Sequence, residues 1–251
     1  MQIPRNPRAR SCSGIIQDDT QMARGLCGME VTPDDLFEAG AVSRHALAPS
    51  IARDWSVRAG DLAWDVRRTV AHVCDALGWY AAHLAAQSPR RLRFDFRAHF
   101  DASNAELLDV LDAATATLTA VARAAPPGVR AYHNYGMADI SGFLAMGCDE
   151  ILVHCWDAVR GLGEEFAPPA ELADRVLRRL FPWAPTTESP WQALLWANGR
   201  TDLPGKERLG HDWAWHCAPL DEWDGAVPRQ DGNPPNCYAW DHDARRWNPS
   251  W

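Results

Sequence analysis

The chain has 251 residues, 47% of them apolar and 23% charged, with a formal net charge of -8; that is enough for one large domain, or a domain with an appendage, around a real core. The acidic balance excludes the basic footprint that non-specific nucleic-acid binding needs, and no apolar run approaches the roughly 20 residues required to span a bilayer. Met1 to Gly14 shows arginines without an apolar stretch behind them, so no secretory leader is expected, and seven cysteines without a C-x-x-C pair read as reduced thiols of a cytoplasmic protein.

Residues 1–30 carry no periodicity and read as a flexible N-terminal arm, with Met29 an alternative start. Thr32-Pro33-Asp34-Asp35 then opens a first helix: a hydroxyl to cap, a proline for the first turn and two acids for the positive end of the dipole. That helix ends near Pro49, and a linker from Asp54 to Gly60 follows. A second helix is predicted over Val66 to Ala86, where Val70, Val73, Leu77, Tyr80, Ala81 and Leu84 recur at threes and fours. Ser103 with Glu106 has the pattern of a capping box and opens a third helix, which Pro126-Pro127-Gly128 stops. A loop with Tyr132, His133 and Tyr135 leads to a fourth helix, about Ala138 to Arg160, closed by Gly161 and Gly163. Shorter helices fit Pro169 to Leu180 and Ser189 to Ala197.

After Pro185 the texture changes, and eight of the thirteen tryptophans lie between Trp191 and Trp251. Leu209 to Cys217 alternates weakly, as does Tyr238-Ala239-Trp240 against Arg246-Trp247, which predicts short strands with an Asp-His-Asp turn between the last two. The expected architecture is mainly α: a four-helix bundle over 31–184, with a small Trp-rich irregular/β extension over 185–251 packing on it.

The densest chemistry lies in Asp149-Glu150-Ile151-Leu152-Val153-His154-Cys155-Trp156-Asp157. Residues four apart share a helix face, so Glu150 and His154 aim a carboxylate and an imidazole at one point, with Asp157 on the same stripe. One helix cannot close a coordination sphere. His72, an imidazole set among Val70, Val73 and other apolar residues of the second helix, is the third candidate ligand.

Two stretches carry a resemblance: Trp55-Ser56-Val57 followed by Arg68-Thr69-Val70-Ala71-His72-Val73, and the Glu150–Asp157 helix. On these the chain is similar to the DinB-like superfamily of metal-binding four-helix proteins, in the branch of mycothiol-dependent maleylpyruvate isomerase. The resemblance covers roughly residues 32–165 and implies that His72, Glu150 and His154 are the metal ligands. Arg58 to Trp64 is longer than the family's usual turn there, and the C-terminal part does not match the isomerase's second domain, so no substrate is carried over.

Two imidazoles and a carboxylate suit zinc among the divalent metals, and three protein ligands leave a position open. The resemblance further implies a low-molecular-weight thiol such as mycothiol as cofactor or co-substrate. Its metal-bound thiolate would attack a small electrophilic partner, for cis–trans isomerisation or S-transfer. Lys206 is the only lysine among the 25 Lys and Arg residues, a bias compatible with a GC-rich actinobacterial source. Asp157 is expected to orient a ligand imidazole, or else to pair with Arg160. Two other functions remain open. A non-catalytic metal-binding protein would close its sphere with His133 or Asp157. A metal-dependent hydrolase would need Asp157 as its base. Arg67 and Arg68 are candidates to grip an anionic substrate, and His83, about 16 Å along the helix from His72, is too far to share the metal.

Overall fold

A computed structural model of the protein describes residues 30–99, 101–187, 189–210 and 213–229, and the backbone of 240–241 and 246–247. The N-terminal arm expected over residues 1–30 falls outside the described residues except for Glu30, and so do His242 and Asp243 of the expected Asp-His-Asp turn.

Four long helices form the body: α1 (Pro33–Leu47), α2 (Val66–Ala86), α3 (Asn104–Ala124) and α4 (Ile140–Gly161). Each begins on a side chain that satisfies an orphan backbone donor. Thr32 and Asp35 make a reciprocal capping box on α1, and Ser103 and Glu106 make one on α3. Asp65 accepts the Arg68 amide at the start of α2, and Asp139 accepts that of Gly142 at the start of α4. α2 ends where Gln87 turns left-handed, at φ 48°.

Around the bundle, α1 packs between α3 and α4, and so does α2, which leaves α1 and α2 on one diagonal. The core is aliphatic: Leu36, Leu47, Leu77, Leu84, Leu107, Leu108 and Leu118 are fully buried, each contributing roughly 1.5–3 kcal/mol. At the centre Gly147 of α4 lets the four helices close. A Cβ there would lie 3.0–3.2 Å from Leu36, Leu118 and Leu77. The fold is thus the mainly α, DinB-like bundle expected from the sequence.

Between α3 and α4 the chain makes a hairpin that the sequence reading leaves as a loop. β1 (Ala131–His133) pairs antiparallel with β2 (Gly136–Ala138) around Asn134 and Tyr135. Beyond the bundle come α5 (Ala170–Leu180) and α6 (Pro190–Ala197), then irregular chain. β3 (Trp240–Asp241) pairs with β4 (Arg246–Trp247) as the alternation suggests. The strand expected over Leu209 to Cys217 does not form; its described part holds only an isolated bridge from Trp213 to Arg229. The backbone there bonds a helix end instead. The His216 amide donates to the Leu180 carbonyl, and buried Arg179 takes the carbonyls of His216 and Cys217.

The loop after α2 is pinned along that helix by two side-chain acceptors, one buried and one half-buried. His83 is fully buried between α2 and that loop, and its Nε2 accepts the Leu92 amide at 2.9 Å. Asp75 Oδ1 accepts the Ala98 amide at 2.8 Å. Burial pushes the Asp75 carboxyl up to about 7, against the pull of that hydrogen bond and of Arg97. The folded protein therefore holds this proton more tightly than the unfolded chain, so the group's contribution to stability is lost as pH rises from about 4 to 7. Asp75→Asn keeps the acceptor oxygen. It should be more stable than wild type at pH 8, by on the order of 1 kcal/mol or more, and should match it near pH 4. Urea unfolding at the two pH values checks this.

Candidate metal centre

α2 and α4 lie against each other, and their facing sides carry the three side chains singled out by the sequence. His72 Nε2 is 3.3 Å from Glu150 Oε2, and His154 Nε2 is 3.4 Å from the same oxygen. One ligand atom from each of the three lies within 4.8 Å of the others. The two imidazoles meet edge-on, 5.1 Å between centroids at 89°.

Each donor is aimed by a second contact. Tyr80, two turns after His72 and buried, donates its hydroxyl to Glu150 Oε1 at 3.1 Å, which leaves Oε2 for the centre. His154 Nδ1 lies 3.1 Å from Asp157 Oδ2. An ionised carboxylate only accepts, so Nδ1 carries a hydrogen toward Asp157, which leaves Nε2 as the atom that faces Glu150 and would meet a metal in place of its own proton. Asp157 in turn receives Arg200 at 2.9 Å. Arg160, its alternative partner in the sequence reading, pairs with Asp61.

The electrostatics follow from burial and pairing. Burial works against the Glu150 carboxylate, but the His72 charge and hydrogen bonds from His154 and His72 outweigh it, so its pKa lies well below the ordinary value. Burial also opposes the charged form of His154, yet Asp157 and Glu150 raise it to about 9. His72 goes the other way: burial pushes it down, against the attraction of Glu150. Burial opposes the Asp157 anion as well, and His154 and Arg200 together hold its pKa below the ordinary value.

These donors fit a divalent metal. With bonds of about 2.0–2.1 Å, tetrahedral ligand atoms sit roughly 3.3 Å apart, close to the two separations found here. A lone pair on His154 Nε2 facing a carboxylate oxygen also needs a proton or a cation between them, and two imidazoles with one carboxylate match first-row divalent ions. Trp64 flanks the two imidazoles, its ring 5.0 Å from His72 and 6.4 Å from His154, with the Arg68 guanidinium 4.6 Å above it.

The remaining candidates lie elsewhere. His133 is buried, neither on the loop surface nor in the ligand group. It packs 5.6 Å from Tyr80, takes the Tyr135 amide on Nδ1, and is pushed down to about 3 by burial. Arg67 is tied to Asn104 across α2 and α3. Cys155 and Cys74 point to the carbonyls of Ser43 and Leu107. Cys217 and His216 form no nucleophile pair: His216 Nε2 meets the Pro219 carbonyl, and burial pushes the Cys217 thiol up to about 12. Tyr80 and Arg200 were not singled out as site residues by the sequence. Tyr80 has a signal, eight residues after His72 on the same helix; Arg200 has none.

Residues 36–159, which contain His72, Glu150, His154 and Asp157, match the family model described as mycothiol maleylpyruvate isomerase N-terminal domain. No curated protein and no solved structure matches the chain significantly.

Proposed function

Through residues 36–159 the chain belongs to the mycothiol maleylpyruvate isomerase N-terminal domain family, a DinB-like branch, and from that premise we propose that it is a metal- and thiol-dependent enzyme. His72, Glu150 and His154 hold one divalent metal, zinc in the first instance. A low-molecular-weight thiol such as mycothiol reacts there with a small electrophile, by S-transfer or thiol-assisted isomerisation. The observation that carries this reading is the convergence of the three donor atoms on one point. Among the described residues no fourth His, Cys, Asp or Glu joins them, which suits a site that keeps a position for a reactant.

A bound metal supplies Lewis acidity and lowers the pKa of a thiol held on it. The chain's own residues do the rest. Glu150 supplies the negative charge and Tyr80 holds its outer oxygen. Asp157 keeps the His154 proton on Nδ1. Trp64, with Arg68 stacked on it, covers one side of the approach. We read residues 185–251 as an extension to the body over 31–184, and in its described part the bond from Trp215 to Asp149 supports packing on that body. A cytoplasmic setting is supported by the four described cysteines, all free and buried.

Two competing readings fare worse. A hydrolase would use Asp157 as its base, but that carboxylate is 2% exposed and taken by His154 and Arg200. A closed, non-catalytic site would use His133 or Asp157 as fourth ligand, and neither reaches the group.

Elemental analysis of purified wild type should find about one equivalent of a first-row metal, and His154→Ala should lose it. The loaded protein should then turn over a thiol–electrophile pair only when the thiol is present. A wild type that refuses metal after reconstitution sinks the proposal.

A further inference from the structure

The three candidate ligands lie within the family-matched segment, but the carboxylate that orients one of them is gripped from outside it. Asp149 and Asp157 of α4 bracket Glu150 and His154, and the segment after α6 takes hold of both. Asn198 Nδ2 donates to Asp149 Oδ1 at 2.9 Å, and Trp215 Nε1 donates to Asp149 Oδ2 at 3.1 Å. Arg200 Nη2 donates to Asp157 Oδ2 at 2.9 Å, with Nε 3.3 Å from both carboxylate oxygens.

Arg200 is itself held in place. Its Nη1 donates to the Asn198 carbonyl at 2.9 Å and its amide to the Leu195 carbonyl at 2.8 Å. Gly199 precedes it in the left-handed region at φ +67°, where a Cβ would stand 3.0 Å from the Leu209 carbonyl. A planar fork on a carboxylate fixes both its distance and its plane. Asp157, so fixed, leaves the His154 ring one orientation.

We propose that Arg200 is a positioning residue of the metal centre: acting through Asp157, it sets the ring of His154, and the segment after α6 is a working part of the site. This rests on the metal reading above. Partners of this kind change metal affinity by about 10–100-fold when removed. The Asp149 contacts do not touch a ligand side chain, so they serve as the control.

The test is zinc and cobalt affinity of the full chain by chelator competition, with the visible spectrum of the cobalt form and Tm, for wild type, Arg200→Met, Arg200→Lys and Trp215→Phe, which removes only the bond to Asp149. Arg200→Met should bind metal about 10–100-fold more weakly and shift the cobalt spectrum. Arg200→Lys, which keeps the cation but not the fork, should recover part of the loss. Trp215→Phe should lower Tm and leave affinity and spectrum unchanged. Wild-type affinity and spectrum in Arg200→Met would overturn the inference alone. An equal loss in Trp215→Phe would do the same, because it would mean general loosening. A wild type that binds no metal overturns the metal reading together with this one. Should Arg200→Met fail to fold, Arg200→Gln answers the same question.

Discussion

Zinc at about 1,000 times its dissociation constant should stabilise the metal-free protein by about 4 kcal/mol, raising Tm by roughly 8–16 °C in a chain of this length, and Glu150→Gln should remove about two thirds of that shift or more. The carboxylate is the shared partner of both imidazoles, at 3.3 and 3.4 Å, so its charge is what the three donors are organised around. Glutamine has the same shape and keeps an oxygen for the Tyr80 hydroxyl, but it offers a neutral amide to the cation. Structural zinc sites of four ligands bind with about 10–16 kcal/mol, or roughly 3 kcal/mol per ligand. The variant should therefore bind about a hundredfold more weakly or worse, with the helical signal of the metal-free protein intact. Melting curves with zinc and with chelator measure this. A full shift in Glu150→Gln would remove Glu150 from the ligand set.

Helix ends were the most legible part of the chain because their chemistry is local. Thr32 and Ser103 each satisfy the amide of the third residue of the helix that follows, and the second helix runs over Val66–Ala86 as the apolar spacing predicts. The pairing of Glu150 with His154 is equally local, one turn apart. His72 stands out because an imidazole within an apolar stripe needs a partner. What escaped is what only tertiary structure supplies. Trp213, Trp215 and Cys217 alternate like a strand, but the backbone between them bonds the end of α5. His133 looks like a loop residue, yet the hairpin buries it against Tyr80, Phe143 and Trp215. Arg200 reaches Asp157 across 43 residues of sequence, and no spacing rule connects two such positions.

The linker between α1 and α2 offers the largest stability effect, at Trp55. Its ring is 2% exposed, and Nε1 donates to the Ser50 carbonyl at 3.0 Å. Its own carbonyl accepts the Arg67 amide at 3.0 Å. Next along, the Val57 carbonyl accepts the Val66 amide, and the Ala59 amide meets the Trp64 carbonyl. The linker is thus stitched to the first turn of α2, with Trp55 as the side chain that seats it in the core. Trp55→Ala should cost about 3–5 kcal/mol, the usual penalty for emptying a buried aromatic site, read as a lower urea midpoint. Trp64→Ala makes the contrast. That ring is half-buried beside His72 and stacks under Arg68, a contact worth about 0.5–1 kcal/mol, so its loss should barely move the midpoint. Metal affinity should respond to both, because Trp55 holds the linker that carries Trp64 over His72. A Trp55→Ala midpoint close to that of Trp64→Ala would mean that the backbone bonds alone anchor the linker.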